Sequence, residues 1–406
     1  MPSLATCLKT FAVAILATAV AAGCAPKQST KPRTTSQAPS TTVQPSPTTP
    51  GKALLPGQPV KVALLVPLSG SAQPAGEALL NAAQLALFDV GDQTLELIVK
   101  DTGEDEASAA AAAAAAIAEG AQLVLGPLFG SQINAVNTVA QGAGVNVISF
   151  SNDESRAGGN AFIMGLSPRE QAKRVVGYAV SQGRSTIAVI APNTPFGAEM
   201  LAGAREVPGA SVVSSILYDT SKVDLSQEVQ SLGTGYQAVL MPDTAKRMLG
   251  LASLLAYHNV NPGQVQYLGS ALWQDPLIGT EPNLQGAWFP APPPAPWELF
   301  VARYQQAYGS APLRIAGLGY DAVALAATLV RNARQGQVTP ASAAPGQWIG
   351  LDRNSITVPT GFSGVDGIFR FRQDGRVERG LAVLGVERNA YTIVDPAPAA
   401  FQPLTN

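Results

Sequence analysis

Few residues of this chain have the chemistry that catalysis or metal binding requires. His258 is the only histidine among 406 residues, so a multi-histidine metal site is excluded and a catalytic triad would have one candidate base. The sequence contains no Gly-x-Ser-x-Gly elbow, no Gly-x-x-x-x-Gly-Lys phosphate loop and no serine three positions before a lysine. The 26 Lys and Arg residues nearly balance 28 Asp and Glu residues, which argues against a nucleic-acid partner. These observations predict a binding protein rather than an enzyme, without a cofactor or a metal.

The clearest chemical signal is Cys24, which is predicted to carry a lipid. Residues 11–22 form an apolar run that is too short to span a bilayer but has the length of a signal-peptide core. The small residues at positions 20–23 lead directly into Cys24, and this pattern resembles a bacterial lipobox. We therefore expect residues 1–23 to be a signal peptide and Cys24 to become an acylated first residue. The alternative is an ordinary cleaved signal with an incidental cysteine.

Residues 24–59 are predicted to form a disordered linker. Positions 25–59 contain eight Pro, seven Thr and four Ser, with almost no large apolar residue before Leu54. Such a composition cannot bury enough apolar surface to offset the entropy of ordering. At about 3.1 Å per residue, a polyproline-like linker of this length could reach roughly 100 Å from the membrane. Anchor and linker together indicate a protein on the periplasmic face of the cell envelope.

From residue 60 onward, strand and helix patterns alternate. Residues 62–68 form an almost continuous apolar run, typical of a strand that is covered on both faces, and an amphipathic helix begins near Pro74. Further strands are predicted at residues 95–100, 123–125, 145–150, 186–191, 211–217, 238–241 and 266–269. Repeated βα units predict parallel sheets, and such folds bind ligands at the loops that follow the strands.

The predicted α/β body is too long for one sheet, and its pattern restarts near residue 170. We therefore expect two lobes within residues 60–396. The first lobe is assigned to residues 60–167 and 290–345, the second to residues 168–289 and 346–396, and residues 397–406 form a tail.

Short segments of the body resemble type I periplasmic binding proteins, the leucine/isoleucine/valine-receptor class. The chain resembles even more closely the penicillin-binding protein activator lipoproteins of the LppC/YraM type. The segments that carry this likeness are residues 80–88, 125–129, 150–153, 281–289 and 364–371. The resemblance implies two doubly wound lobes, joined by crossover strands, with a cleft between them. Well-studied activators carry a helical-repeat domain before the binding-protein domain, whereas here a linker occupies that place.

The resemblance also implies which residues contact a small-molecule ligand in the cleft. The matching positions are Ser69, Gly70, Gly130, Ser131, Ser151, Asn152, Asp153, Phe196, Gly197, Tyr320 and Asp321. The alternative is that these residues only form turns, and that Asp321 is a cap or a crossover contact. Because the carboxylate of Asp153 would repel a ligand carboxylate, an ordinary α-amino-acid site is disfavoured.

A β-hairpin is predicted near the carboxyl terminus, with its turn at Asp374 and Gly375. Four arginines belong to this hairpin: Arg370, Arg372, Arg376 and Arg379. The simpler interpretation is a solvated face. The alternative is a docking patch for a protein partner.

The resemblance implies a lipoprotein that docks on a peptidoglycan synthase, a penicillin-binding protein, and regulates cell-wall assembly. Ala25 after the cysteine resembles the signal for export to the outer membrane. The alternative function is that of a substrate-binding lipoprotein for an ABC importer of amino acids or amides. The cleft distinguishes the two, because an importer receptor needs convergent polar groups for its ligand.

Overall fold

The computed structural model describes residues 51–402, except residues 56, 92–94 and 339–342. The predicted signal peptide, Cys24 and most of the predicted linker therefore lie outside the described residues. Within the described part of the chain, no helix combines the length and the apolar character needed to cross a membrane.

The first lobe is built on a parallel sheet of five strands in the order β2-β1-β3-β4-β5. The strands are β1 (Val60–Val66), β2 (Leu95–Asp101), β3 (Leu123–Leu125), β4 (Asn146–Ser149) and β5 (Ala161–Ile163). The helices between them are α1 (Gln73–Val90), α2 (Glu106–Ala118) and α3 (Gly130–Ala143). Because helices cover both faces of this sheet, the central strands β1, β3 and β4 are almost entirely buried, as their continuous apolar sequences predict.

The second lobe is built on a sheet of seven strands in the order β15-β14-β10-β9-β8-β6-β7. Its strands are β6 (Thr186–Pro192), β7 (Ser211–Tyr218), β8 (Ala238–Leu240), β9 (Gln266–Leu268), β10 (Trp288–Ala291), β14 (Ala382–Glu387) and β15 (Ala390–Asp395). The helices of this lobe are α4 (Pro168–Ser181), α5 (Pro195–Arg205), α6 (Ser226–Ser231) and α7 (Ala245–Tyr257). Strands β6 to β10 pair in parallel, whereas β14 and β15 pair antiparallel.

After β10 the chain returns to the first lobe. It forms α8 (Pro294–Tyr308), α9 (Ala316–Arg334), α10 (Arg353–Ile356) and a small antiparallel sheet of β11 (Phe362–Gly364), β12 (Gly367–Phe371) and β13 (Val377–Arg379). Phe369, Phe371 and Val377 of the small sheet are buried in the core of the first lobe. Phe371 meets Phe162 of β5 edge to face, with ring centres 5.5 Å apart. The assignment of residues 346–379 to the second lobe is therefore wrong, because their apolar side chains complete the first core.

The chain crosses between the lobes three times: between β5 and α4, between β10 and α8, and between β13 and β14. In the first lobe, α9 packs closely along α1. Gly319 makes this approach possible, because a Cβ atom at that position would lie 2.4 Å from the carbonyl oxygen of Leu79.

The start of the described chain corrects the boundary of the predicted linker. The backbone N–H of Lys52 donates to the carbonyl of Gln347 at 2.7 Å, and the N–H of Ile349 donates to the carbonyl of Lys52 at 2.9 Å. Leu54 packs against the first core. The prediction that the linker is disordered as far as residue 59 is therefore wrong from residue 51 onward.

Candidate functional site

The two lobes face each other across a cleft that contains a cavity of about 500 Å³, the main cavity. Its walls come from the loops after β3, β4 and β9, from α4 and the start of α5, and from the start of α9. Most of the lining is apolar: Leu128, Phe129, Phe150, Leu166, Phe196, Leu272, Ile315 and Leu318. A concave, largely apolar cavity of this size with a few polar groups is typical of a small-molecule site.

Hydrogen bonds fix the loop after β4, which carries several predicted contacts. The hydroxyl of Ser149 donates to the carbonyl of Pro127 at 2.8 Å and accepts the N–H of Ser151 at 3.1 Å. The hydroxyl of Ser151 then accepts the N–H of Asp153 at 3.1 Å. This chain of bonds holds Ser151 and Asn152 in the wall of the main cavity, beside Gly130.

A second cavity of about 350 Å³, the acidic cavity, adjoins the main one. Gly130, Ser151, Asn152 and Phe196 line both cavities, whereas Asp153, Glu154 and Glu199 line only the acidic cavity. Five of the predicted contacts therefore come together here: Gly130, Ser151, Asn152, Asp153 and Phe196.

The three carboxylates of the acidic cavity differ in how well they are paired. Asp153 lies 3.3 Å from Arg156, and Glu199 lies 2.7 Å from Arg169. Glu154 is buried, and among the described residues no basic side chain lies within ion-pair distance of it. Burial raises the pKa of Glu154, and a hydrogen bond with Ser167 offsets this effect only in part.

Arg314, just before α9, is the basic group of the main cavity. Its Nη1 lies 2.6 Å from Oδ1 of Asp366, its Nε donates to Gln274 at 3.2 Å, and its guanidinium stacks 4.0 Å from the ring centre of Trp297. The contact with Asp366 is not aligned for a hydrogen bond. Both terminal nitrogens of Arg314 and Oδ1 of Asp366 are consequently buried without a hydrogen-bond partner among the described residues. Such orphaned polar atoms are uncommon in folded proteins, and each one requires an explanation.

Two further charges lie directly behind this pair. Asp321 accepts the N–H of Val365 at 2.6 Å and lies 3.9 Å from Arg379, which donates to the carbonyl of Met164 at 2.8 Å. Burial, reinforced by the charge of Asp366, raises the pKa of Asp321, while Arg379 opposes the shift. Asp321 therefore joins α9 to the loop before β12 and does not line either cavity.

The other predicted contacts also lie outside both cavities. Tyr320 donates its hydroxyl to Asp89 at 2.9 Å, and burial raises its pKa to about 12. Ser69, Gly70 and Ser131 are exposed beyond the lining. Gly197 is buried in the first turn of α5, where its N–H donates to Thr194 at 3.3 Å. The prediction that these residues face the ligand is therefore not supported by their positions.

The arginines of the hairpin do not form one exposed patch, so that prediction is corrected. Arg370 and Arg379 are only 4% and 8% exposed. Phe401 lies over the guanidinium of Arg370, which also pairs with Glu378 at 2.9 Å. Only Arg372 and Arg376 remain accessible, and Arg372 lies 3.8 Å from Glu170 of the second lobe. The residues that follow β15 and the loop at Met164 cover the other two.

Sequence reasoning missed three polar residues of the main cavity: Gln171, Arg314 and Asp366. Gln171 on α4 accepts the N–H of Ala271 at 2.9 Å and so fixes the turn after β9. A signal for Asp366 was present, because it interrupts the otherwise uncharged segment 364–369 in a chain where only 13% of residues are charged. Within the described part of the chain, no cluster of His, Cys, Asp and Glu residues is arranged to hold a metal ion.

A family model described as periplasmic binding protein matches residues 59–390. Among curated proteins, the penicillin-binding protein activator LpoA of Glaesserella parasuis is 31% identical over 137 residues, which are 34% of this chain and 23% of that protein. An uncharacterized protein of Rickettsia prowazekii is 23% identical over 119 residues, or 29% of this chain and 32% of that protein. The chain thus covers a third or less of these relatives.

Solved structures share the fold at low sequence identity. One is assigned to a branched-chain amino acid ABC transporter of Rhodospirillum rubrum, with a TM-score of 0.71, 19% identity, and coverage of 83% of this chain and 100% of that one. Another is the ABC transporter substrate-binding protein of Sphaerobacter thermophilus, with a TM-score of 0.67, 18% identity, and coverage of 84% and 98%. These likenesses and the two lobes confirm the predicted fold class. The chain therefore belongs to the periplasmic binding protein family and has the two-lobed type I fold.

Proposed function

We propose that this protein regulates peptidoglycan synthesis by docking on a penicillin-binding protein, and that it acts by binding rather than by catalysis. The observation that carries the proposal is the 137-residue similarity, at 31% identity, to a penicillin-binding protein activator. The exposed Arg376 and the half-buried Arg372 are candidates for part of the docking surface, because accessible cations can steer an acidic partner.

The proposed location is the periplasmic face of the envelope, with a lipid on Cys24 as the anchor and the outer membrane as the target. The lipobox-like residues before Cys24 and the Pro/Thr/Ser-rich sequence after it support this location. Multiple acyl chains on one cysteine would anchor the protein stably, which a single chain would not.

The cleft favours a second candidate function, the substrate-binding lipoprotein of an ABC importer. Its main cavity combines an apolar lining with polar groups from both lobes, among them Asn152, Gln171 and Arg314. If the protein delivered free amino acids, calorimetry on the purified chain should find one of them bound near micromolar affinity, or about −8 kcal/mol. We expect none of the standard twenty to bind so tightly, because the carboxylates of Asp153 and Glu199 in the adjoining acidic cavity would repel the carboxylate of so small a ligand. Micromolar binding of any of them would promote this second candidate.

The partner is tested by cross-linking the tagged full-length chain in intact cells and identifying the linked proteins by mass spectrometry. Enrichment of a penicillin-binding protein supports the proposed function, whereas enrichment of an ABC permease supports the second. A purified synthase should then polymerise glycan faster when the protein is added. An unchanged rate, together with no cross-link to a synthase, would refute the proposed function.

A further inference from the structure

The two adjoining cavities of the cleft differ in charge, because one is lined by an arginine–aspartate pair and the other by carboxylates. Among the described residues that line the main cavity, the charged ones are Arg314 and its neighbour Asp366. The charged residues that line the acidic cavity are Asp153, Glu154 and Glu199, and the described lining there includes no basic residue. Gly130, Ser151, Asn152 and Phe196 belong to both linings, so the cavities adjoin, with the Arg314–Asp366 pair on one side and the three carboxylates on the other.

The Arg314 end has unused capacity to bind an anion. Nε of Arg314 is engaged by Gln274 and Nη1 lies 2.6 Å from the carboxylate of Asp366, but neither terminal nitrogen has an aligned hydrogen-bond acceptor among the described residues. A buried donor without an acceptor costs free energy, and a guanidinium matches a carboxylate through two parallel hydrogen bonds. A ligand carboxylate in the main cavity could supply an acceptor for these nitrogens.

The acidic end has the opposite preference. The basic partners of Asp153 and Glu199 lie outside the lining, and Glu154 is buried without an ion pair among the described residues. Three carboxylates that converge on one small cavity favour a cation, because a cation relieves their mutual repulsion. An ammonium group is the cation that fits a cavity of this size without metal-binding geometry.

We propose that the cleft binds a short peptide of apolar residues with both termini free, its carboxylate at Arg314 and its ammonium among Asp153, Glu154 and Glu199. The apolar side chains of the peptide pack against Leu128, Phe150 and Leu272. The amide of Asn152, exposed where the two cavities join, pairs with the peptide backbone. This inference goes beyond the proposed function, because it concerns the ligand of the cleft rather than the protein partner.

The test is calorimetry on the full chain with four probes: the tripeptide Ala-Leu-Ala, its N-acetyl form, its C-terminal amide, and free leucine. We expect the free tripeptide to bind most tightly. Each blocked form should bind about tenfold to a hundredfold more weakly, because each loses one charged hydrogen-bonding end. Free leucine should also bind more weakly, since it cannot reach both ends of the cleft.

Variants assign each end of the ligand to its cavity. Arg314→Lys keeps a charge beside Asp366 but lacks the two-pronged guanidinium, so it should erase the preference for the free carboxylate over the amide. Asp153→Asn combined with Glu199→Gln should erase the preference for the free ammonium over the acetyl form. Arg303→Lys and Glu119→Gln, which alter ion-paired residues outside both cavities, are the matched controls and should change neither preference.

Three results would overturn the inference. The first is a tripeptide that does not bind, or that binds no better than leucine. The second is equal binding of the free and blocked peptides. The third is a cavity variant that weakens the binding of all four probes by the same factor, so that no preference between them changes. Docking on a synthase is measured without peptide, so failure here leaves the proposed function intact, and failure of docking leaves the peptide result intact.

Discussion

At the scale of single residues, the molecule concentrates its buried charge at one place, behind the cleft. Asp321, Asp366 and Arg379 are almost fully buried, and Arg314 connects them to the main cavity. Burying an ion is costly unless it is paired and hydrogen-bonded. Here the charges join three separate pieces of chain: the segment around the start of α9, the loop before β12, and the end of β13. The charge states of these four residues should therefore affect the stability of the protein as well as the electrostatic potential in the cleft.

We expect Asp321 to contribute stability that is lost as pH rises from about 4 to 7, and Asp321→Asn to remove this contribution from the pH dependence of the free energy of unfolding. Burial and the neighbouring Asp366 raise the pKa of Asp321 in the folded protein above the ordinary value of 3.8. The folded state then binds this proton more tightly than the unfolded chain does. The contribution is fully present below the unfolded pKa and is lost as pH rises through the folded pKa.

Urea unfolding of both proteins at several pH values would measure this difference. Because a tenfold difference in proton affinity corresponds to about 1.4 kcal/mol, the two curves should diverge by more than about 1 kcal/mol. Asp374→Asn, at an exposed aspartate, is the control. Parallel curves for wild type and Asp321→Asn would contradict the prediction.

Cys24, which lies outside the described residues, is tested separately. We expect Cys24→Ala to abolish acylation and to release the protein from the membrane fraction, because the proposed lipid is attached through that thiol. Fractionation followed by intact-mass measurement would show both effects. Cys7→Ala, within the predicted signal peptide, should leave the mature mass and the membrane association unchanged. A Cys24→Ala protein that still fractionates with membranes would contradict the anchor.

At the scale of secondary-structure elements, the contact between α1 and α9 depends on the absence of one side chain. A methyl group at Gly319 would clash with the carbonyl of Leu79, so Gly319→Ala must move one helix and should cost about 1–3 kcal/mol. Gly250→Ala on α7, where nothing lies within 4 Å, should instead stabilise by up to about 1 kcal/mol. Thermal unfolding compares the two. Equal melting temperatures would mean that α1 and α9 do not need this close approach.

The accessible part of the hairpin leads to a prediction about docking. Arg372→Gln with Arg376→Gln should slow association with a penicillin-binding protein at low salt, because exposed cations contribute mainly to steering. Stability should change by less than about 1 kcal/mol, since both side chains are partly solvated. Arg205→Gln, near the edge of the second sheet, is the control. Surface plasmon resonance with an immobilised synthase ectodomain would measure the rates, and unchanged rates would remove the hairpin from the proposed interface.

Most of the βα elements could be predicted from the sequence, because long apolar runs and helical periodicity are local signals. The strands β5, β10, β11 and β15 were missed for local reasons as well. β5 and β11 have only three residues each, Pro290 interrupts β10, and β15 is mostly exposed. The place of β12 and β13 was beyond local reasoning, since their buried faces are decided by contacts with β5 and with the last described residues.

At the scale of the whole molecule, the cleft shows why its residues were only partly predicted. Gly130 and the loop at Ser151 follow strands directly, so the rule that ligands bind at strand ends finds them. Arg314 and Asp366 follow no strand of the large sheets. They come together only because the chain returns to the first lobe after β10 and places α9 beside β11. No spacing pattern in the sequence predicts that Arg314 and Asp366 lie next to each other.

If the protein is exported as proposed, the three crossings between lobes also affect how it reaches its folded state. The second sheet needs β14 between β10 and β15, and β14 follows β13, so residues 382–395 must arrive before that sheet is complete. Neither lobe can therefore finish folding while the chain is still threading through the membrane. Pairings between such distant residues form slowly. The incomplete second sheet should consequently expose the edge of β10 until β14 and β15 have emerged.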